Sequence, residues 1–241
     1  MNAPLRASEA DTLRNDLAAA FRICHQMGWS ESVGNHFSAA VSEDGRQFLL
    51  NRRWQHFATI RPDDLLLLDS SDESALEGPD APDASAWCVH GTLHRRRPEA
   101  RVILHCHSPY ATALSCLADP TMVPIDNNTA RFYGRTAYDM EFGGIADAEE
   151  EGERLAESLG DKSVLVMGNH GVTVVGQTVA EAFEDLYFFE KAAQTLMLAR
   201  ASGAPLAFLP DAVAQNTADG WRAYRGMAER HFEFLKSQVS G

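Results

Sequence analysis

Apolar positions recur along this chain with two periods, a helical one of about 3.6 residues and a strand period of two. A helical pattern covers residues 9–27. Strand-like runs follow at 36–42 and 47–51, and the Asp44-Gly45 pair between them is typical of a hairpin turn. The pattern therefore predicts a helix followed by a β-hairpin.

Further apolar runs continue this alternation to the end of the chain. Ser108 and Pro109 occupy the N-cap and the first position of a helix predicted over 108–117. The other predicted elements are a loop at 70–82, helices at 86–96, 148–160, 178–201 and 211–237, and strands at 65–69, 101–107, 163–169 and 171–176. This mixed order predicts the α/β class, as a three-layer α/β/α sandwich around a central, mainly antiparallel or mixed sheet.

Composition narrows the class of protein. With 241 residues, 45% hydrophobic and 23% charged, residues 1–241 read as a single globular domain whose first eight residues we expect to be flexible. The formal charge is 21 basic minus 34 acidic residues, or −13, which argues against a nucleic-acid partner. No apolar run approaches the roughly 20 residues of a membrane span, and the first residues lack the apolar core of a secretory signal. We expect a cytoplasmic protein with no membrane partner.

The sharpest local motif is His105-Cys106-His107, within a predicted strand. Residues i and i+2 of a strand project from the same face and lie about 6.5 Å apart along the chain, so both imidazoles can reach one ion. Cys106 projects to the other face, where we expect it to pack in the core. The pair alone is equally compatible with a structural role.

A third histidine, His170, stands between two apolar strands and is followed by Gly171. We expect the glycine to let the backbone turn sharply and to leave the imidazole free to face inward. Three histidines with one open coordination position are typical of a catalytic metal, because the open position admits substrate or water. The four cysteines show no CxxC spacing, which argues against a thiolate zinc site and a disulfide framework.

Three segments, 28–42, 90–114 and 169–183, closely resemble the class II aldolase/adducin N-terminal family, and the resemblance spans roughly residues 10–235. It implies that His105, His107 and His170 ligate one divalent ion per subunit, zinc first, with manganese or iron as alternatives. It also implies that Gly34 and Asn35 contact the phosphate or carboxylate end of a small-molecule substrate. Members of the family are usually tetramers, so we expect a homo-oligomer.

The chain departs from the family pattern at its acid/base residue. The resemblance places a glutamate four residues before His90, and this chain has Ala86 there, which neither donates nor accepts a proton. The hydroxyl residue expected at the end of the second strand is replaced by Asn51, which we assign to substrate binding. The serine pair of the phosphate-binding loop is not evident in 79–86. These changes resemble the adducin-like branch and argue against cleavage of a sugar phosphate.

Several residues are candidates to replace the glutamate or to bind substrate. His90 is predicted to point toward the site, with a core histidine as the alternative. Asn127, Arg131 and Tyr133 belong to a polar segment that we predict as a loop and short helix near the metal. Tyr133 or Asp126 would move a proton there, and Arg131 or Arg135 would hold a carboxylate. Their alternative is an ordinary surface. Four other histidines lack a partner at ligand spacing and are assigned to packing or solvent: His25, His36, His56 and His231.

These observations favour a metal-dependent lyase that acts on a small oxo-acid or hydroxy-acid by decarboxylation or aldol-type cleavage. Decarboxylation suits the absent glutamate, because the electrons left by departing carbon dioxide need a sink before they need a base. Two alternatives stay open. One is a non-haem iron oxygenase on the same fold, and the other is a non-enzymatic assembly protein like the head domain of adducin.

Overall fold

A computed structural model of the protein describes residues 7–141, 149–224 and 226–239, and its strands form one seven-stranded sheet. The strands are β1 His36–Ala40, β2 Gln47–Leu50, β3 Leu66–Asp69, β4 Val102–Cys106, β5 Thr136–Asp139, β6 Val164–Met167 and β7 Gly171–Gly176. Their order is β3-β2-β1-β4-β7-β6-β5. All neighbours are antiparallel except β5 and β6, which are parallel, so the sheet is mixed as predicted.

Helices cover both faces of this sheet. They are α1 Ala7–Gln26, α2 Ala84–Arg96, α3 Pro109–Ser115, α4 Asn127–Ala130, α5 Glu149–Leu159, α6 Val179–Ala201, α7 Asp211–Ala223 and α8 Met227–Val239. One large core joins residues of α1, α3, α6 and α8 to one face, and a smaller core joins α2 and α5 to the other. The predicted α/β sandwich is therefore confirmed. None of the helices described is long and apolar enough to cross a membrane.

Strand β4 shows how the sheet divides its side chains between the two cores. Leu104 and Cys106 belong to the large core, whereas Ile103 belongs to the smaller core beside α2. Because side chains alternate along a strand, His105 projects to the α2 side. The prediction that Cys106 packs in the core is confirmed, since it is fully buried there.

Two parts of the sequence prediction differ from the structure. The prediction of one helix over 211–237 is wrong, because α7 ends at Ala223 and α8 begins at Met227. Gly226 has a φ of +82°, a left-handed conformation that glycine adopts readily because it lacks a Cβ, and that interrupts a helix. Strand β5 was not predicted, since its sequence TAYD has no apolar run. Residues 1–6 of the expected flexible start lie outside the described residues, and α1 begins at Ala7.

The start of α3 is fixed by a carboxylate from α6. Ser108 is the N-cap residue and Pro109 the first helical residue, as predicted, but the Ser108 side chain does not make the capping hydrogen bond. Its hydroxyl instead donates to Glu190 Oε2 at 2.7 Å, and the backbone N–H groups of Tyr110 and Ala111 donate to the same carboxylate at 2.9 and 2.8 Å. A buried carboxylate thus satisfies the first donors of the helix. It also fixes the backbone immediately after His107.

Replacing Glu190 with glutamine tests this contact. The Glu190→Gln amide retains one acceptor and turns an N–H group toward donors, so we expect the free energy of unfolding to fall by about 1.5–3 kcal/mol. Glu43→Gln, on the exposed hairpin turn, is the matched control and should change it by less than about 0.5 kcal/mol. Urea denaturation followed by circular dichroism measures both. Equal stability of the two variants would contradict the assignment.

Candidate functional site

Three histidines from two separate parts of the chain converge beside the ends of the central strands β4 and β7. His105 lies on β4, His107 directly follows that strand, and His170 lies in the turn between β6 and β7. One potential ligand atom from each ring lies within 4.8 Å of the other two. The fold therefore brings together the three residues that the sequence singled out.

Hydrogen bonds on the far side of two of these rings determine which nitrogen carries the proton. The Thr173 hydroxyl donates to Met167 Sδ at 3.3 Å, so its oxygen accepts from His105 Nδ1, 3.1 Å away. The Glu31 carboxylate accepts from His107 Nδ1. Both rings therefore have an unprotonated Nε2, and the two Nε2 atoms lie close together. This arrangement is typical of metal-ligating histidines.

The spacing of these lone pairs fits a single ion. His105 Nε2 and His107 Nε2 are 3.2 Å apart. Two nitrogens bound to one tetrahedral zinc ion at about 2.0–2.1 Å lie about 3.3–3.4 Å apart. Burial lowers the pKa of His105 well below its ordinary value, and burial together with His107 lowers the pKa of His170 to about 4. Unprotonated rings at neutral pH are what a metal requires.

The turn that carries His170 is built differently from the prediction. The left-handed residue is Asn169, with a φ of +54°, and not Gly171. Gly171 is instead required by close packing, because a Cβ there would lie 2.8 Å from His107 Cδ2 and 2.9 Å from the Cys106 carbonyl oxygen. Gly171 thus allows the start of β7 to pack closely against His107.

A cavity of about 460 Å³ adjoins the triad and is lined by residues that the sequence assigned to substrate. Gly34, Asn35 and Asn51 all line it. Asn35 is 8% exposed, and neither atom of its amide group has a hydrogen-bond partner among the residues described. Asn51 accepts from the Phe37 N–H at 3.3 Å and donates to the Asn35 carbonyl at 3.4 Å. Asn51 therefore supports the backbone of Asn35, whose own amide is available to a ligand.

Several residues of this site were not found from the sequence, among them Thr173, the partner of His105. The cavity is also lined by His36, Arg53 and Asp83, and Glu31 contacts His107. Asp83 caps α2 by accepting from the N–H groups of Ser85 and Ala86, and Arg53 lies 4.4 Å from the Trp54 ring centroid. No spacing relative to His105, His107 or His170 marks these residues as neighbours of the triad.

The assignment of His36 to packing or solvent is wrong in one respect, because the ring lies beside the triad. It is paired across the sheet with His105, and their rings stack at a centroid distance of 4.7 Å. Only the register of β1 against β4 reveals this neighbour. Burial lowers the pKa of His36 to about 4, against the opposing effect of Asp83.

A line of hydrogen bonds runs from His36 into the layer between the sheet and α2. His36 Nδ1 lies 2.7 Å from His90 Nε2, and His90 Nδ1 is bonded to Ser38 Oγ. Ser38 Oγ lies 2.8 Å from His94 Nε2, and His94 Nδ1 lies 2.9 Å from the Ala100 carbonyl oxygen. We call these five groups the histidine line. His90 is fully buried and does not line the cavity, so its reach toward a substrate passes through His36.

Ala86, where the resemblance places a glutamate, lies one turn before His90 on the same face of α2. It is fully buried against Phe48, Leu50 and Leu68. The side chain at this position therefore contributes packing and no titratable group.

Asn127, Arg131 and Tyr133 are not among the residues that line the triad cavity of their own chain. Trp221 Nε1 donates to Asn127 Oδ1 at 3.3 Å, and Arg131 Nε lies 3.6 Å from Asp185 Oδ1 beneath the same indole ring. Arg131 lines a second cavity of about 290 Å³. Their roles toward substrate, and that of Tyr133 as a proton carrier, stay predictions.

Residues 15–197 match the family described as Class II Aldolase and Adducin N-terminal domain. The chain belongs to this family. Among solved structures, this family member is similar to an aldolase II superfamily protein from Pseudomonas syringae, with 29% identity, a TM-score of 0.85 and coverage of 98% of this chain and 94% of that one.

Two curated relatives in the family carry enzymatic names. This chain is 26% identical to the decarboxylase NovR of Streptomyces niveus, in an alignment of 220 residues that covers 88% of this chain and 81% of NovR. It is 24% identical to the 4-hydroxy-3-prenylphenylpyruvate oxygenase/4-hydroxy-3-prenylbenzoate synthase of Streptomyces roseochromogenus subsp. oscitans, over 88% of this chain and 79% of that protein. The family thus includes differently named activities.

Adding one methyl group at Gly171 tests the packing of the triad. In Gly171→Ala the Cβ displaces the His107 ring, so we expect a loss of stability of about 1–3 kcal/mol and zinc binding that is about 10–100-fold weaker. The control is Gly220→Ala, in α7, where no atom lies within 4 Å of the added Cβ. It should retain zinc affinity, and its free energy of unfolding should rise by about 0.5–1 kcal/mol. Calorimetric zinc titration and thermal unfolding measure both. Wild-type zinc affinity in Gly171→Ala would refute the packing argument.

Proposed function

We propose that this protein is a divalent-metal-dependent lyase that cleaves a carbon–carbon bond of a small oxo-acid or hydroxy-acid, by decarboxylation or aldol-type cleavage. The observation that carries the proposal is the triad of His105, His107 and His170, two of whose tautomers are fixed by Glu31 and Thr173. A divalent ion held there, zinc first with manganese or iron as alternatives, supplies a Lewis acid that polarises a substrate oxygen and stabilises the charge formed on cleavage.

The walls of the cavity suit a carboxylate. Arg53 brings a positive charge to it, and one guanidinium nitrogen is held by the Gly78 carbonyl at 2.8 Å. Asn35 adds a buried amide with no partner among the described residues, so binding an acid there offsets the cost of leaving that amide unpaired. We propose that Arg53 and Asn35 hold the substrate carboxylate and Gly34 admits it close to the backbone.

Decarboxylation fits this site better than proton abstraction. Ala86 replaces the glutamate of the resemblance, and the buried Ala86 side chain offers no proton acceptor. Loss of carbon dioxide requires stabilisation of the remaining electron pair and only afterwards a proton. The name of the relative NovR, a decarboxylase, supports the same reaction type.

Oxygenation is the second candidate, favoured by the name of the Streptomyces roseochromogenus relative. Three histidines also suit ferrous iron with positions open for oxygen. A purely structural role like that of the adducin head gives no reason for the hydrogen bonds that the His105 and His107 rings donate to Thr173 and Glu31. By resemblance we further propose a cytoplasmic homo-oligomer, a tetramer in its commonest form.

Metal analysis combined with a product assay tests the proposal. Protein purified without oxygen is analysed for metal, and zinc-, manganese- and iron-loaded samples are incubated with 2-oxo and aromatic hydroxy-acids. We expect one ion per chain and release of carbon dioxide or an aldol cleavage product. His107→Ala should lose both at least 100-fold with an unchanged circular dichroism spectrum, whereas His25→Ala, an exposed ring outside the triad, should retain both.

The alternatives predict different outcomes of the same experiment. Oxygen consumption that requires iron, together with no cleavage under anaerobic conditions, would indicate an oxygenase and contradict the lyase. A folded, metal-loaded protein that turns over none of these acids would contradict both enzymes. Full biological function of a His105→Ala/His107→Ala variant would favour an assembly role.

A further inference from the structure

The histidine line has only one consistent direction of proton donation, and a backbone carbonyl determines it. The Ala100 oxygen can only accept, so His94 Nδ1 carries the hydrogen of the bond between them. A neutral imidazole has one N–H, so His94 Nε2 is an acceptor. The Ser38 hydroxyl must therefore donate to His94 Nε2.

The same reasoning passes through Ser38 to the cavity. The Ser38 hydroxyl has a single hydrogen, already given to His94, so its oxygen accepts from His90 Nδ1–H. His90 Nε2 is then a lone pair, and His36 Nδ1–H donates to it. It follows that His36 Nε2 carries no hydrogen and presents a lone pair.

The protonation of the buried rings is consistent with this direction of hydrogen-bond donation. Burial lowers the pKa of His94 to about 3 and that of His90 well below its ordinary value. Both rings are therefore neutral at pH 7, and the lone pair on His90 Nε2 needs the donor that His36 Nδ1 supplies. A neutral ring whose Nδ1–H donates a hydrogen bond has only one tautomer, whatever occupies the cavity.

The lone pair of His36 is available to a ligand. His36 lines the triad cavity, and no hydrogen-bond partner of its Nε2 is found among the residues described. The ring stacks on His105, yet His36 is not a member of the cluster that forms the metal site. His36 thus lies beside the three candidate ligands and offers an acceptor, whereas the ring nitrogens of the triad would face an ion.

We propose that the histidine line fixes His36 as a permanent hydrogen-bond acceptor that recognises a hydroxyl group of the substrate. A hydroxyl donates to this lone pair, whereas a ketone oxygen at the same place sets two lone pairs against each other. A mismatch of this kind in a buried site costs roughly tenfold or more in affinity. The inference makes acids that carry a hydroxyl group at this place the preferred substrates within the proposed class, and it rests on the proposed function for the position of the substrate.

The tautomer is tested without any substrate or turnover. In long-range ¹H–¹⁵N spectra of histidine-labelled, zinc-loaded protein, we expect His36, His90 and His94 all in the Nδ1–H form. Ser38→Ala cuts the line and should leave His36 as a mixture of tautomers. Ser115→Ala, which removes a buried hydroxyl bonded to the Thr112 carbonyl in α3, is the matched control and should leave all three rings unchanged.

The wild-type spectrum alone decides this part, so the test survives a Ser38→Ala variant that does not fold. An Nε2–H tautomer of His36, or a mixture in the wild type, would overturn the inference. Absence of lyase activity would leave this result untouched, which separates failure of the inference from failure of the proposed function.

Recognition of the hydroxyl is tested with lactate, pyruvate and acetate as probes on the zinc-loaded protein. We expect lactate to shift the His36 Nε2 resonance and to bind about tenfold more tightly than pyruvate or acetate. His36→Phe should bring the ratio close to one with unchanged zinc content. Equal binding of lactate and pyruvate, no shift with saturating lactate, or an unchanged ratio in His36→Phe would overturn the proposal. Loss of zinc in His36→Phe would overturn it too, by making His36 a ligand.

Discussion

The site depends on burying uncharged imidazoles whose ring nitrogens are satisfied in one way only. Burial lowers the pKa of five rings, His36, His90, His94, His105 and His170. Once neutral, each ring has one donor and one acceptor, so a single fixed partner determines what the other nitrogen offers. Thr173, Glu31 and the Ala100 carbonyl are such partners, and none of them needs to touch a substrate.

The fold supplies these partners through register and helix placement. Antiparallel pairing puts His36 and Thr173 on either side of His105 in neighbouring strands. Helix α2 adds His90 and His94 from one of its faces, four residues apart. On the opposite face of the sheet, the Glu190 carboxylate in α6 fixes the start of α3 directly after His107. The geometry of the site on the α2 face of the sheet therefore depends on packing on both faces.

The sequence could predict what is periodic or locally spaced. His105 and His107 share a strand face, and Cys106 projects into the core. The apolar runs mark six of the seven strands. The α/β sandwich and the histidine triad could therefore be predicted. Partners that are isolated in sequence could not be found this way. His36 approaches His105 only through strand register, Glu31 lies in a loop, and β5 has no apolar run to mark it. The left-handed residue of the turn is Asn169 and not Gly171, and the glycine serves close packing instead.

Glu31 offers the most direct test of the central claim, that partners outside the metal site fix the ligand tautomers. Titration of metal-free protein with zinc should show one ion per chain in the wild type. In Glu31→Gln, which removes the charge that orients His107 Nδ1–H, binding should be about 10–100-fold weaker with the fold retained. Zinc binding of wild-type strength in this variant, or no zinc binding by the wild type, would contradict the account.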